Sequence, residues 1–335
     1  MDTRKLGKTE MEVSVVGFGG IPLQGVSTAV AERILHHALD RGVNFFDSAR
    51  AYTDSEEKMG KALSGRRDGI YLASKALSRT ADSMTAELET SLKNLKVDCI
   101  DLYQVHSVDS LELLEKILAP GGAYEALSKA RKAGKIRWIG VTGHSRPILY
   151  KAVETGLFDT VQLPFNPIED EWEQDVLPAA RNAGMGTIGM KPVAGGAIRN
   201  IRAAIRFSLT LGIDVSIPGM DSIEQVDENT SAGEGLAPPS EEELVALRRE
   251  KELWGEKFCR RCSYCMPCPE GLNIPFLLLI DGYYTRYELK DWAKERLAAL
   301  PKTYKDCTAC GECLDRCPYN LPIPDMMSEA GERVI

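Results

Sequence analysis

Two runs of cysteine near the C-terminus carry the most specific chemistry in the chain. FCRRCSYCMPCPEG sets Cys259, Cys262, Cys265 and Cys268 at even intervals before Pro269, and KDCTACGECLDRCPYN sets Cys307, Cys310, Cys313 and Cys317 before Pro318. The second run reads C-x2-C-x2-C-x3-C-P, a ligand spacing for [4Fe–4S] clusters. Three thiolates a turn apart cap three irons of one cube, and the fourth, redirected by the proline, reaches the neighbouring cube. The expected sets are Cys259, Cys262, Cys265 with Cys317, and Cys307, Cys310, Cys313 with Cys268. The first run is one residue short before its last cysteine, so Cys268 departs from the pattern. Paired zinc sites would use separated C-x2-C pairs and leave a third cysteine in each run surplus. A disulfide scaffold needs an oxidising compartment, and MDTRKLGKTEMEVS has no apolar secretion core. Cys99 stands alone in an apolar run and is expected to be a small core residue.

A second set of polar residues is spread along the first third of the chain. FFDSARAYTDSE offers Asp47 and Tyr52, LASKA offers Lys75, and LYQVHS offers His106. Singly, these have ordinary readings: a surface tyrosine, a solvated lysine, a structural histidine. Together they could protonate the oxygen of a carbonyl as hydride arrives at its carbon. A free phenol, with a pKa near 10, is a sluggish acid at neutral pH. An ammonium ~4 Å away at an effective dielectric of ~20 is worth ~4 kcal/mol, enough to lower the phenol by up to about three units. Asp47 would anchor that lysine and offset part of its field. A neutral His106 would orient the carbonyl.

Such a set meets only if the segments that carry it are adjacent strands. The apolar, β-rich runs VSVVGFG, NFFDSA, GIYLASK, CIDLYQVH, RWIGVTG, TVQLPFN, GTIGMKP and DVSIPG alternate with amphipathic segments such as AVAERILHHALDRG and TAELETSLKNLK. Near-continuous apolar strands separated by helices imply a parallel sheet buried on both faces. Eight such units predict an α/β fold, a (β/α)₈ TIM barrel, whose chemistry gathers at the C-terminal strand ends. TRKLGKTEMEVS reads as a hairpin plugging the barrel floor. A boundary is expected near residue 235, where SAGEGLAPPSEEE gathers Gly, Pro and acids, dividing the chain into a barrel (1–235) and a small helical unit (236–335). There, SEEELVALRREKELWGEKF predicts a helix capped by Ser240 with Glu243 closing a capping box, and YTRYELKDWAKERLAAL predicts another.

FFDSARAY, the Ser-Lys pair at 74–75 and YQVH resemble the catalytic tetrad segments of the aldo-keto reductases, and IGVTGHS, QLPFN and IPGMDSIEQVDEN resemble that family's later segments. With the cysteine-rich tail, the chain resembles the branch that carries a helical dicluster ferredoxin-like domain. The resemblance implies Tyr52 as general acid/base, Lys75 as its tuner, Asp47 as anchor and His106 as orienter. It implies NAD(P)H, with Thr142, Gln162 and Met190 at the nicotinamide, Lys191 beside them, and Pro218, Gly219, Met220, Gln225 and Asn229 toward the phosphates and adenine. Glu224 also fits an adenine contact. The chain departs from the family's pattern in three places. Gly143 stands where an Asn is usual, Met190 where an aromatic is usual, and Gly219 and Gln225 where basic residues hold a 2′-phosphate. Asp221 adds a repelling charge, which favours NAD(H), a weak complex or another redox partner. His144, Phe165 and Trp172 could line the substrate pocket or simply pack.

Three readings of the whole follow. In the first, the barrel interconverts a small-molecule carbonyl and alcohol while two [4Fe–4S] clusters carry electrons. Nicotinamide moves two electrons as hydride and each cube moves one, so a flavoprotein or ferredoxin partner is expected. In the second, the clusters carry the function and the barrel is a scaffold for docking. In the third, the clusters only staple a tail to a reductase. A net charge of −8 with scattered basic residues argues against nucleic acid. PFLLLI is too short to cross a bilayer. Thiolates in cluster spacing point to the cytoplasm.

Overall fold

The computed structural model describes every residue except Glu256, Cys262, Pro318 and Ile335. Two short strands open the chain, β1 (Thr3–Lys5) and β2 (Glu12–Ser14), paired antiparallel. Eight parallel strands follow: β3 (Phe18–Gly19), β4 (Phe45–Asp47), β5 (Tyr71–Ala76), β6 (Ile100–Val105), β7 (Ile136–Thr142), β8 (Thr160–Pro164), β9 (Gly186–Met190) and β10 (Val215–Ile217). They run in sequence order from β3 to β10, and parallel bridges from Val16 to Ser216 and Gly19 to Gly219 join the last strand to the first. The barrel is closed. All eight expected runs supply a barrel strand, but VSVVGFG is divided. Its start belongs to the hairpin and only Phe18–Gly19 to the barrel.

Two apolar layers hold this architecture. Inside the barrel, Phe45, Ala73, Leu102, Ile188, Val215 and Ile217 pack on Leu6, Met11 and Val13 of the hairpin, which closes the floor as expected. Outside, strand side chains such as Phe46, Leu72, Tyr103, Ile139 and Val161 meet helix residues such as Ile34, Leu35, Leu88 and Leu127. This double burial is why the strands read as continuous apolar runs. Polar side chains within them such as Asp47, Lys75, Gln104 and Gln162 bond one another inside the barrel, whereas Thr160 Oγ1 and Ser216 Oγ are buried without a partner.

Beyond the barrel, the helix Glu241–Gly255 begins with the expected capping box. The Glu243 N–H donates to Ser240 Oγ at 3.2 Å, and the Ser240 N–H donates to Glu243 Oε2 at 2.8 Å. Leu247 of this helix and Phe258 after it pack against Ala194, Ala197, Ile198 and Ala203, on the barrel's outer layer. The tail has its own core, with Leu277, Ile280 and Tyr283 from Ile274–Thr285, Ala293 and Leu297 from Lys290–Ala298, and Met327 and Ala330 from Ile323–Val334. YTRYELKDWAKERLAAL does not form one helix. The chain breaks between Thr285 and Lys290, with Glu288 in the left-handed region at φ 54°. There Tyr287 lies on Gly195 and Leu289 on Gly25, both barrel loops. Docking across the barrel mouth overrides helix propensity in this segment. Among the described residues no helix is long and apolar enough to cross a membrane.

Candidate active site and cysteine cavity

The barrel's register brings the four expected side chains together. Asp47 ends β4, Lys75 lies near the end of β5 and His106 directly follows β6, while Tyr52 sits in the loop after β4, its N–H bonded to the Ala49 carbonyl at 3.0 Å. Lys75 Nζ donates to Asp47 Oδ1, and to the Ser48 carbonyl at 2.7 Å. The same Nζ lies 4.9 Å from the centroid of the Tyr52 ring. The Tyr52 and His106 rings meet edge to face at 6.0 Å. Asp47 and Lys75 are almost wholly buried, whereas Tyr52 and His106 keep part of their surface accessible at the mouth.

Burial dominates the electrostatics of this group. It drives the Lys75 ammonium down against the pull of Asp47, and the Asp47 carboxyl up against the pull of Lys75. Burial first, then the Lys75 charge, hold His106 well below its ordinary value, so it is neutral as expected. The phenol of Tyr52 behaves differently from the sequence expectation. Burial, then the nearby Asp47 and Tyr287, push it up, and Arg261 is the group that pulls it down. The ammonium of Lys75 lies beside the ring and is committed to Asp47, so its field at the hydroxyl is largely cancelled.

A glutamine that sequence reasoning passed over ties the site together. Gln104, paired in register with Lys75, donates through Nε2 to Asp47 Oδ2 at 3.2 Å and to Gln162 Oε1 at 2.8 Å. Its only signal was a polar residue inside the apolar run LYQVH. Gln162 also points its Nε2 at Met190 Sδ, 3.8 Å away. Thr142 Oγ1 accepts the Ser107 N–H at 3.0 Å. Both expected carboxamide contacts are thus bonded within the chain and buried. Met190 and Lys191 keep accessible surface beside them.

The segment expected to receive phosphates and adenine is mostly packed away. Met220 and Asn229 are buried, as is Pro218, whose carbonyl accepts the Gly19 N–H at 2.8 Å. Gly219 and Glu224 are exposed. Gln225 Oε1 accepts the Asp221 N–H at 2.8 Å, and Ser222 caps the helix Ile223–Ser231. Burial, reinforced by the charge of Glu288, pushes the Asp221 carboxyl up. The residues present fit a nicotinamide dinucleotide only in part. Met190, Lys191, Gly219 and the start of that helix offer contacts, whereas the side chains of Thr142, Gln162 and Asn229 would have to break existing packing.

Phe165 and Trp172 are core residues, whereas His144 retains accessible surface. Asp109 Oδ1 accepts the backbone N–H groups of His144 and Ser145. Burial works to raise the Asp109 carboxyl, but its bonds to His144 and the charge of that ring outweigh burial and bring it down to about 2.

In the tail, Cys265, Cys268, Cys307, Cys310 and Cys313 line one cavity. Burial raises the Cys313 thiol, and the thiols of Cys307, Cys310 and Cys268 repel its charge further. Cys265 and Cys317 are buried in one apolar cluster, with Cys259 packed against it. Cys262 lies outside the described residues, as does Pro318. Among the described residues no three Cys, His, Asp or Glu converge on a single ion. The sulfurs instead surround a space, which is the arrangement a multi-atom cube requires. Their number, softness and partial shielding fit [4Fe–4S] ligation, and the cavity holds Cys265 together with the four cysteines expected around one cube. Cys99, expected in the core, is half-buried just before β6, where the chain has not yet entered the strand that is covered on both faces.

The profile of the aldo/keto reductase family matches residues 15–204, and that of a 4Fe-4S dicluster domain matches residues 258–322. The chain belongs to the aldo/keto reductase family and carries a 4Fe-4S dicluster domain. It is 34% identical over 207 residues to aldo-keto reductase YhdN of Bacillus subtilis, covering 56% of this chain and 61% of the relative. It is 32% identical over 217 residues to aldo-keto reductase yakc [NADP(+)] of Schizosaccharomyces pombe, covering 58% and 62%. The match therefore spans about three-fifths of those relatives' length. The holo form of aldo-keto reductase AKR11C1 from Bacillus halodurans superposes with a TM-score of 0.66 at 24% identity, over 75% of this chain and 96% of that one, a likeness of fold.

Proposed function

We propose that the chain is an iron–sulfur oxidoreductase that interconverts a carbonyl and an alcohol by hydride transfer, with one-electron transfer through two [4Fe–4S] clusters. The observation that supports it best is the convergence of Asp47, Tyr52, Lys75 and His106 at successive strand ends of a closed barrel. A bound nicotinamide would supply the hydride. The chain's own residues handle the proton. Tyr52, held protonated by burial, donates it to the developing alkoxide; neutral His106 orients the carbonyl; Asp47 and Ser48 fix Lys75 beside the phenol ring. In the reverse direction Tyr52 accepts the proton.

The division proposed is a barrel over residues 1–235 and a cluster-bearing unit over 236–335. The cluster ligands are Cys268 with Cys307, Cys310 and Cys313, and Cys317 with Cys259, Cys262 and Cys265. A one-electron carrier or flavoprotein in the cytoplasm is the fitting partner. The committed side chains of Thr142 and Gln162 favour a second reading, an electron-transfer or docking subunit with a catalytically silent barrel. Anaerobically purified holoprotein separates the two. Reduction of simple aldehydes by NADH or NADPH supports the first; clusters that cycle with dithionite while no carbonyl is reduced support the second.

A further inference from the structure

Where the tail meets the barrel, a cavity of about 350 Å³ opens between the loop after β9 and the first cysteine run. That is within the range of small-molecule sites, about 300–1,000 Å³. Its barrel wall carries Lys191 and Gly195; its tail wall carries Phe258, Arg261, Arg286 and Tyr287. Gly195, at φ 65°, lets the tail approach, since a Cβ there would stand 3.0 Å from the Tyr287 ring.

Lys191, Arg261 and Arg286 are among the cations that line this space. Among the described residues, Lys191, Arg261 and Arg286 make no ion pair and donate no side-chain hydrogen bond; Arg286 Nε is buried without a partner. Acids stand nearby as well: Asp325 and Glu329 also line the cavity, with Glu329 paired to Arg333. Glu169 accepts from Asn166 Nδ2 at 2.9 Å, Asp109 holds the His144 backbone, and Asp281 pairs with Arg333 at 3.0 Å. All three cations are half-buried, and burial followed by the charge of Arg261 pushes the Lys191 ammonium well below its ordinary value, so a ligand of opposite charge would be favoured here. The cavity adjoins the chemistry through Lys191, which follows Met190. Met190 Sδ lies 3.8 Å from Gln162 Nε2, and Gln162 is linked through Gln104 to Asp47. The charge of Arg261 is also felt at Tyr52 and His144.

We propose that Arg261, with Lys191 and Arg286, binds a carboxylate on the carbonyl substrate, so that the tail completes the substrate site and the barrel alone does not. This rests on the reductase reading and names its substrate class: a carbonyl compound bearing an anionic group a few atoms from the reacting carbon. Arg261 belongs to the cysteine run and lines the cavity, so the integrity of that run and substrate recognition are linked. The diphosphate of a dinucleotide is the alternative occupant of the same cations, and the NADH titration below separates the two.

The test compares 4-carboxybenzaldehyde with 4-methylbenzaldehyde on holoprotein, alongside calorimetric binding of 4-methylbenzoate and a fluorescence titration of NADH. The carboxylated aldehyde is expected to have a kcat/KM at least ~10-fold higher, mostly through KM, as a charge-assisted contact provides. Arg261→Met is expected to collapse that ratio and abolish 4-methylbenzoate binding, Arg261→Lys to restore part of both, and NADH affinity to hold. Iron and sulfide counts check the cysteine run, and Lys191→Met, outside it, should lower the ratio as well. Equal use of the two aldehydes, or a ratio untouched in both variants, overturns the proposal and leaves the reductase reading standing. Loss of NADH affinity with the ratio intact assigns the cations to the dinucleotide and also overturns it. If neither aldehyde is reduced, yet 4-methylbenzoate binds in an Arg261-dependent way, the anion site stands and the reductase reading falls.

Discussion

Lys75 Nζ stands 4.9 Å from the centre of the Tyr52 ring while its hydrogen bonds go to Asp47 and the Ser48 carbonyl. The lysine is thus held in place by an acid that also cancels much of its charge. Removing either partner leaves the other buried and uncompensated, at a cost of about 3–5 kcal/mol. Lys75→Met is expected to destabilise the holoprotein by that amount in chemical denaturation, and Lys75→Met with Asp47→Asn to recover most of it. Carbonyl reduction should stay low in both. A single variant as stable as wild type would contradict the pairing.

The neutral histidine predicts a pH dependence of stability. His106 has its folded pKa held below the unfolded value of about 6.5, so below that pH the unfolded chain binds a proton that the native one does not. Stability is full above about pH 6.5 and falls as the pH drops toward the depressed folded value. At pH 5.5 the loss from this group is about 1.4 kcal/mol. Comparing urea midpoints at pH 7.5 and 5.5, the wild type should lose that much more than His106→Gln. Equal losses would show that His106 titrates alike in the native and unfolded chains, contradicting its depressed value.

Acid surrounds the segment where a 2′-phosphate would sit. Asp221 and Glu288 are close enough to repel each other, and Gln225 is bonded to the Asp221 N–H. NADH is expected to bind at least ~10-fold more tightly than NADPH, with the gap narrowed in Asp221→Ser, Glu288→Gln, on the scale of removing like charges at close range. Fluorescence titration reads both. Tighter NADPH binding by the wild type would contradict this electrostatic argument.

Cys268 shares its cavity with Cys307, Cys310 and Cys313. Cys268→Ser should lower iron from about eight to about four per chain, since one cube of two loses a ligand. Cys99→Ser, at a half-buried site far from both runs in sequence, should lose none. Full iron in Cys268→Ser would break the exchange of ligands between the runs.

Much of this was legible in the residues. The strands announced themselves because both their faces are covered, and the tetrad because a buried parallel strand tolerates Asp47 or Lys75 only near its end. What escaped was long-range. Gln104 gave one polar letter in an apolar run, and nothing local said that it would join Asp47 to Gln162. Arg261 looked like spacing between cysteines, because its direction depends on how the tail docks. The break at 286–289 went unseen for the same reason: Tyr287 and Leu289 leave helical order to reach Gly195 and Gly25. The upward push on Tyr52 came from burial, then Asp47, and from Tyr287 of the tail, which the barrel sequence does not contain.

The phenol at the barrel mouth is the centre of the account, and its oxygen is the atom to delete. Tyr52→Phe keeps the ring against His106 and removes only the proton donor. With iron content matched to wild type, steady-state reduction of 4-carboxybenzaldehyde is expected to fall at least ~100-fold, on the scale of general-acid effects. Turnover within a few-fold of wild type would contradict proton delivery by Tyr52.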